Sequence, residues 1–250
     1  MFSPPMTGAN RTLQLLQHVR EREARLLELE RRFSSDAAHE LRTPLAGLRA
    51  RIEVALADPD GSDPWQTLRE ALVDADRLQA IVDDLLLLDR LDRGEPRSEE
   101  RVDLPDLVRS ALNGSVMRVP VSTAIRPGTV MGDHPLLVRL LSNLISNAQR
   151  HAETRVTIVV QVRNGQAVVE VRDDGTGIPP EDRERVFARF ARLDPARSRD
   201  SGGTGLGLSI ARQIAIAHRG SLSLEEPPGG RGARMVLRLP LAAEEPEISH

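Results

Sequence analysis

A histidine and a glutamate stand side by side at His39 and Glu40, and Pro44 follows shortly after them. The apolar residues that come next recur at steps of three and four, which predicts one buried seam on a helix: Leu41, Leu45, Leu48, Ile52 and Ala55. Because each residue turns a helix by about 100°, His39 should lie roughly 200° from that seam and face solvent. Pro44 cannot donate to the Glu40 carbonyl, so we expect a kink beside the histidine. An exposed imidazole next to a carboxylate could be a reactive group, but a solvated surface histidine is the simpler interpretation of this stretch alone.

A second group of polar residues shares one face of a predicted helix over residues 134–151. Asn143 and Asn147 are four residues apart, and Arg150 and His151 follow one turn later. Amide oxygens suit a hard cation such as Mg²⁺, and arginine suits phosphate, so this face could bind a charged ligand. Asparagines that cap a neighbouring loop are the alternative.

Two glycine-rich segments also have the composition of a binding site. Residues 173–177 (Asp-Asp-Gly-Thr-Gly) follow a predicted strand, and residues 202–207 (Gly-Gly-Thr-Gly-Leu-Gly) open a predicted helix. Glycines let the backbone approach a ligand, and the free amides at a helix start favour an anion. The second segment matches neither the dinucleotide fingerprint, because residue 208 is leucine, nor the P-loop, because it has no lysine. Ordinary turns and packing remain alternatives for both segments.

Composition excludes several classes of protein. A net charge of −3 without a basic tract gives no reason to expect a nucleic-acid partner. The chain has no cysteine, which excludes disulfides and thiolate metal sites and suits a reducing compartment. The zinc-protease pattern HExxH fails because residue 43 is threonine. No apolar run approaches the ~18 residues that a membrane-spanning helix needs.

The first part of the chain is predicted to be a helical hairpin. Helices over about 11–57 and 65–93 flank a turn at 58–64, in which Asp63 caps the second helix. Two helices cannot enclose a core, so an apolar stripe on each predicts a four-helix bundle made with a second copy, and hence a homodimer. A polar linker at 94–101 then marks a domain boundary.

The second part has a mixed pattern. We predict helices at 104–112, 134–151 and 206–218 with a helical piece around 182–190, and strands at 119–125, 129–131, 155–163, 167–171, 221–224 and 233–239. Asn164-Gly165 predicts a tight hairpin between two of these strands. The acidic end from residue 242 is expected to be disordered.

In order and spacing, five of these segments resemble the motifs of two-component sensor histidine kinases. Residues 33–45 are similar to the H-box, 143–151 to the N-box, 173–177 to the G1 box, 186–190 to the F-box and 203–208 to the G2 box. The departures are mild, since Asp174 stands where asparagine is common and Arg150 where lysine is frequent.

The resemblance implies a multidomain α and α+β protein. It would consist of a signal-transmitting helix (1–32), a dimerisation and histidine phosphotransfer hairpin (33–95) that forms a four-helix bundle, a Bergerat-type α/β sandwich that binds ATP (101–241) and a tail (242–250). It further implies a cytoplasmic chain, from a protein tethered to the bacterial inner membrane, whose partner is the receiver domain of a response regulator.

The same resemblance implies a chemistry. His39 would be phosphorylated by ATP and would pass the phosphoryl group to a regulator aspartate, with phosphatase activity toward the regulator as a further expectation. Glu40 would tune His39, and Thr43 would orient a water for the reverse reaction. In the ATP site, Asp173 would bind the adenine amino group, Ile178 would wall the base and Asn147 would hold Mg²⁺. The other nucleotide contacts implied are Asn143, Arg150, His151, Gly175, Gly177, Gly203, Thr204, Gly205, Leu206 and Gly207. Residues from about 179 to 202 would form a lid, with Phe187 and Phe190 as anchors and Arg192, Arg197 and Arg199 near the γ-phosphate.

Two other functions compete with this interpretation. An ATPase of the same fold could use nucleotide to gate a dimer clamp, but it would not need the sequence around His39. A silent dimeric scaffold would not need the complete set of site residues. Phosphate release without a phosphoprotein would favour the first, and failure to bind nucleotide would favour the second.

Overall fold

The computed structural model describes residues 8–57, 63–95, 98–192 and 204–243. The chain divides into two compact units, residues 1–79 and 80–250. Several predictions lie outside the described residues: most of the turn at 58–64, the lid segment with Arg197 and Arg199, Gly203, and the tail beyond 243.

Two long helices, α1 (Gly8–Ala57) and α2 (Pro64–Asp92), supply the first unit. The predicted cap is confirmed, because the Trp65 N–H donates to Asp63 Oδ1 at 3.0 Å. The two helices are tied by Arg51, whose Nε donates to Asp74 at 3.0 Å and whose guanidinium also pairs with Glu70. The chain remains helical through Pro44.

The apolar stripes of this hairpin are largely in solvent. Four apolar side chains of the two helices are between 44% and 61% exposed: Leu45, Ile52, Leu68 and Leu72. Two helices alone can cover only the line along which they touch, so the rest of each stripe stays uncovered.

The second unit is a mixed α/β fold that begins within the last turns of α2. Its elements are β1 (Glu100–Asp103), α3 (Leu104–Asn113), β2 (Val121–Ile125), β3 (Thr129–Gly132), α4 (His134–His151), β4 (Val156–Arg163), β5 (Gln166–Asp173), α5 (Gly207–Ala217), β6 (Ser221–Glu225) and β7 (Arg234–Pro240). Five strands form one sheet in the order β2-β4-β5-β7-β6, in which only the β2–β4 pair is parallel. β1 and β3 form a separate antiparallel pair.

The core of this unit lies between one face of the large sheet and the helices α3, α4 and α5. Alternate residues of β4 are buried, as period-2 patterning requires, at Val156, Ile158 and Val160. They face fully buried side chains from α4 and α5, which include Leu140, Leu141, Leu144, Ile210 and Ile214. The structure therefore has the two-layer sandwich that the resemblance implied.

The predicted turn between β4 and β5 is confirmed. Asn164 and Gly165 have φ values of 52° and 72°, which is the left-handed geometry of a two-residue type I′ hairpin. Arg163 and Gln166 close the ladder on either side of the turn.

Two local predictions were wrong. The helical piece around 182–190 is instead two single-turn 3-10 helices, Pro180–Asp182 and Arg185–Phe187, and Phe190 has a φ of 60° that no helix accepts. The predicted linker at 94–101 ends early, because Glu100 already starts β1. A strand of four residues is too short to show a clear alternation in the sequence.

Candidate functional site

The centre of the candidate site is Asp173, the last residue of β5, which is only 7% exposed. Its Oδ1 accepts the N–H of Gly175 at 3.0 Å and that of Ala233 at 3.2 Å. Burial raises the pKa of this carboxyl, and the two backbone donors oppose that change. Both donors from the described residues bind Oδ1, so Oδ2 is available to a ligand that carries a donor.

Glycines allow three backbone segments to meet around Asp173. A Cβ on Gly175 would lie 2.1 Å from the carbonyl oxygen of His151, and one on Gly232 would lie 1.9 Å from that of Asp173. Gly177 has a φ of +76°, and a Cβ there would approach the Gly232 carbonyl oxygen to 2.8 Å. No side chain fits at these positions, so the end of α4, the turn after β5 and the loop before β7 are packed backbone to backbone.

The asparagines of α4 lie on the same face of the helix, and Asn143 is half-buried. The Nδ2 of Asn143 is buried and has no hydrogen-bond partner among the residues that the structure describes, which is rare for an amide in a folded protein. The Oδ1 of Asn143 would lie 3.5 Å from a Cβ on Gly207, so this side chain sits beside the start of α5. An unpaired buried donor there is what a site for an oxygen-rich ligand leaves behind.

Positive charge collects at the C-terminal end of α4. The pKa of Arg150 is lowered by burial and then by the charge of Arg192, which lies on the predicted lid. The pKa of His151 is lowered by burial and by Arg150, and Asp173 opposes this change. Arg150 and His151 nevertheless remain exposed at the surface, so an anionic ligand can reach the Arg150 guanidinium.

The glycine-rich start of α5 packs on Phe190, in the described first part of the predicted lid. Gly205 has a φ of +72°, and a Cβ there would lie 2.8 Å from the backbone of Phe190. The Thr204 hydroxyl accepts the Leu206 N–H at 3.3 Å, and Leu206 is fully buried. Among the described residues, no side chain caps α5, whereas Asp103 and Asp133 cap α3 and α4. Amides at the start of α5 therefore remain available to a ligand.

Arg212 on α5 contacts two residues in the first part of the predicted lid. Its guanidinium lies 4.9 Å from the centre of the Phe187 ring and donates to Glu184 at 2.7 Å. Phe187 is buried, as expected for an anchor, and Ile178 is half-buried.

His39 is on the first unit and exposed, which confirms the prediction from helix geometry. The Thr43 hydroxyl donates to the His39 carbonyl oxygen at 3.2 Å, one turn along α1. Glu40 is half-buried and Pro44 is buried beside them.

The sequence predicted most residues of the candidate site but not all of the contacts that hold them in place. In the second unit, the turn after Asp173 packs on the His151 backbone, and Asn143 lies beside Gly207 at the start of α5. The loop at 229–233, which orients Asp173 through Ala233, was overlooked, although its composition (Gly-Gly-Arg-Gly-Ala) was a sign of close packing. The sequence also gave no sign of Arg118, which donates to the Gln149 carbonyl oxygen at the end of α4, or of the Gln149 side chain, which accepts the Arg118 N–H.

With this geometry established, comparison with known proteins gives matches on both units. Residues 29–94 match the His Kinase A (phospho-acceptor) domain, and residues 132–243 match the family described as histidine kinase-, DNA gyrase B-, and HSP90-like ATPase. The chain belongs to the sensor histidine kinases.

Relatives of this family align along most of the chain. Sensor histidine kinase TrcS of Mycobacterium tuberculosis is 39% identical over 231 residues, which cover 86% of this chain and 44% of TrcS. Sensor protein RstB of Escherichia coli is 35% identical over 232 residues, which cover 90% of this chain and 52% of RstB. The chain thus spans about half the length of these family members.

Solved structures agree in fold. The histidine kinase AdeS of Acinetobacter baumannii superposes on 82% of this chain and 98% of its own, with a TM-score of 0.65 and 22% identity. Full-length ShkA in complex with AMPPNP covers 82% of this chain and 45% of its own, with a TM-score of 0.60 and 25% identity. In the described parts of the chain, no helix combines the length and apolar character needed to cross a bilayer.

Proposed function

We propose that this chain is the catalytic region of an ATP-dependent protein-histidine kinase, which phosphorylates its own His39 and then passes the phosphoryl group to an aspartate of a response regulator. The observation that carries the proposal is Asp173, a buried carboxylate with one oxygen held by two backbone donors and the other available. An acceptor fixed in this way suits the exocyclic amino group of adenine.

The remaining contacts would follow the length of the nucleotide. Ile178 would lie against the base, and Arg150 and Arg192 would bring positive charge to the phosphates. His151, whose lowered pKa favours the uncharged imidazole, would contact phosphate or ribose. The unpaired Asn143 amide and the uncapped start of α5 would donate to phosphate oxygens. The likeness to ShkA, solved with AMPPNP, supports a nucleoside triphosphate as the ligand.

Asn147 would hold Mg²⁺ through its amide oxygen. The described residues contain no cluster of three or more histidine or acidic side chains that would hold a metal by themselves, so phosphate oxygens would complete the coordination. The ion supplies charge neutralisation at the phosphates. The half-buried position of Asn147 on the same face as Asn143 fits this role.

In the reaction, an imidazole nitrogen of His39 attacks the γ-phosphorus. A nitrogen–phosphorus bond forms, the bond from that phosphorus to the bridging oxygen breaks, and ADP leaves. Glu40 would accept a hydrogen bond from the N–H of the other ring nitrogen and so stabilise the positive charge that develops on the ring. In-line positioning contributes most of the rate, since phosphoryl transfer needs little covalent help from the protein.

Thr43 would serve the reverse direction, in which water removes the phosphoryl group from the regulator. Its hydroxyl already donates to the His39 carbonyl and remains at the surface, so its lone pairs can accept from a water near the imidazole.

We also propose a homodimer, because a second hairpin would cover the exposed stripes of α1 and α2 and complete a four-helix bundle. In the full-length protein, a membrane sensor would be attached.

Labelling with γ-³²P-ATP tests the proposal. The wild-type chain should gain a label that is stable in base and lost in acid, and His39→Gln should gain none. His250→Gln, the same exchange at the last residue, serves as the matched control and should label normally. Label that persists in H39Q would refute the assignment, and phosphate release without any phosphoprotein would support the ATPase alternative instead.

A further inference from the structure

The C-terminal end of α4 is capped by an arginine from another part of the chain. The last carbonyls of a helix have no partners within the helix. Arg118, in the loop before β2, donates through Nε to the Gln149 carbonyl oxygen at 2.9 Å and through Nη2 to that of Arg150 at 3.3 Å. The same Nη2 also contacts the carbonyl oxygen of Ala152. One guanidinium therefore serves three carbonyls at the end of the helix.

The loop that carries Arg118 is itself fixed to α4 by a buried glutamine. Gln149 is 3% exposed, and its Oε1 accepts the N–H groups of Arg118 at 2.8 Å and Val119 at 2.9 Å. Its Nε2 donates back to the Val119 carbonyl oxygen at 3.0 Å. The helix and the loop thus hold each other, which limits the positions that the Arg118 guanidinium can take.

Asp174 also holds the turn after α4, through the residues that follow the helix. Its Oδ1 accepts the N–H groups of Glu153 at 2.9 Å and Thr154 at 3.0 Å, and its Oδ2 pairs with the Thr154 hydroxyl. The helix end is fixed by Arg118 before the turn and by Asp174 after it.

We propose that Arg118 is a positioning residue of the nucleotide site, which fixes the last turn of α4 so that Arg150 and His151 meet the phosphates. The inference rests on the proposed function, because it assumes that these two side chains contact nucleotide. The capped carbonyls belong to the same turn as Arg150 and His151, so fraying of this turn displaces both side chains. A cation at a helix C-terminus is also favoured by the helix dipole.

The effect should fall on phosphate binding rather than on the base. Adenine recognition depends on Asp173, which is held by the Gly175 and Ala233 N–H groups. The α4 carbonyl that packs on Gly175 is that of His151, which is not one of the three that Arg118 binds. Loss of the cap should therefore weaken ADP more than adenosine, whereas general damage to the fold would weaken both. It should also raise the KM for ATP with little change in kcat, since Arg150 and His151 would bind the phosphates equally in the ground state and in the transition state.

The experiment compares four proteins, all as the full chain: wild type, Arg118→Gln, Arg118→Lys and the control Arg163→Gln, an exposed arginine at the far end of β4. A cap is worth about 1 kcal/mol, so R118Q should raise the KM for ATP and the Kd for ADP by up to about 5-fold. Its kcat for His39 labelling and its Kd for adenosine should stay within about twofold of wild type. R118K keeps the positive charge but lacks the planar guanidinium with its several donors, so its KM and Kd should lie between those of wild type and R118Q. The KM and Kd of R163Q should equal those of wild type.

Equal ADP affinities of R118Q and wild type, or equal losses for ADP and adenosine, would overturn the positioning role while leaving the kinase proposal intact. If the wild-type chain neither binds ADP nor labels His39, the proposed function fails and the inference falls with it. Should R118Q not fold, R118K decides: a KM equal to that of wild type overturns the role, and a raised KM with unchanged kcat supports it.

Discussion

Asp173 and Ala233 lie 60 residues apart and are joined by a hydrogen bond of 3.2 Å from the Ala233 N–H to the Asp173 carboxylate. The bond uses the same oxygen that accepts the Gly175 N–H. The loop before β7 therefore decides which oxygen of Asp173 stays available, and with it the direction from which a donor can approach.

Asp173→Asn should lower the affinity for nucleotide without lowering the stability of the fold. The asparagine can keep its amide oxygen on the two backbone donors, which places its NH₂ group where the free carboxylate oxygen was. This NH₂ group then faces the amino group of adenine, and two donors cannot form a hydrogen bond. We expect nucleotide affinity to fall at least about tenfold, by calorimetric titration with Mg-ADP.

Thermal unfolding of the same variant should show no loss of stability at neutral pH. Burial raises the pKa of Asp173, so its ionised form opposes folding once the pH rises through the folded-state pKa, and the amide removes that penalty. Asp106→Asn, on the exposed surface of α3, is the control and should bind ADP like the wild type. Normal ADP binding by D173N would remove Asp173 from the site.

Gly205→Ala should lower the free energy of unfolding more than Gly230→Ala, although both glycines have the same backbone φ. Gly205 and Gly230 both have a φ of +72°, but only at Gly205 would the new Cβ meet another backbone, that of Phe190 at 2.8 Å. We expect a loss of about 1 kcal/mol for G230A and roughly 2–4 kcal/mol for G205A, by urea unfolding. Equal losses would mean that Phe190 gives way easily.

Glu170 should make stability depend on pH. Burial raises the pKa of this carboxyl, but hydrogen bonds from Arg234 and Arg172 outweigh it, so the pKa ends below its ordinary value of 4.5. The stabilisation is complete above that ordinary value and is lost as the pH falls through the folded-state pKa. Glu170→Gln should lose about 1–3 kcal/mol at neutral pH, and the difference should shrink in acid. Glu100→Gln, on an exposed edge strand, is the control for unfolding curves between about pH 3 and pH 7.

Asp174 should tolerate asparagine but not alanine. The Thr154 hydroxyl and then the backbone N–H groups of residues 153–155 keep the pKa of its carboxyl far below the ordinary value. Asparagine can still accept from these N–H groups, whereas alanine cannot. Hydrogen exchange of the amides of Glu153, Thr154 and Arg155 should accelerate by about tenfold or more in D174A and little in D174N. Unchanged exchange in D174A would show that the turn holds without this side chain.

Local chemistry made parts of the fold predictable. Asp63 ahead of Pro64 marked the start of α2, and Asn164-Gly165 marked a two-residue hairpin, because each depends on neighbours within a few positions. The segment after Pro180 failed for the opposite reason. Its charge and apolar residues fit a helical turn, but the segment forms 3-10 turns, and Phe187 packs against Arg212, a distant residue that no local pattern reveals.

By itself, the sequence determined the helical hairpin, the exposure of His39 and the identity of the residues proposed to contact nucleotide, because these follow from periodicity and from motifs that each lie within a few residues. Only the tertiary structure decided which oxygen of Asp173 is available and that Arg118 caps the helix of Arg150 and His151. These contacts join residues 31 to 60 positions apart, and each has a backbone atom as one partner, which every residue carries and no sequence pattern distinguishes.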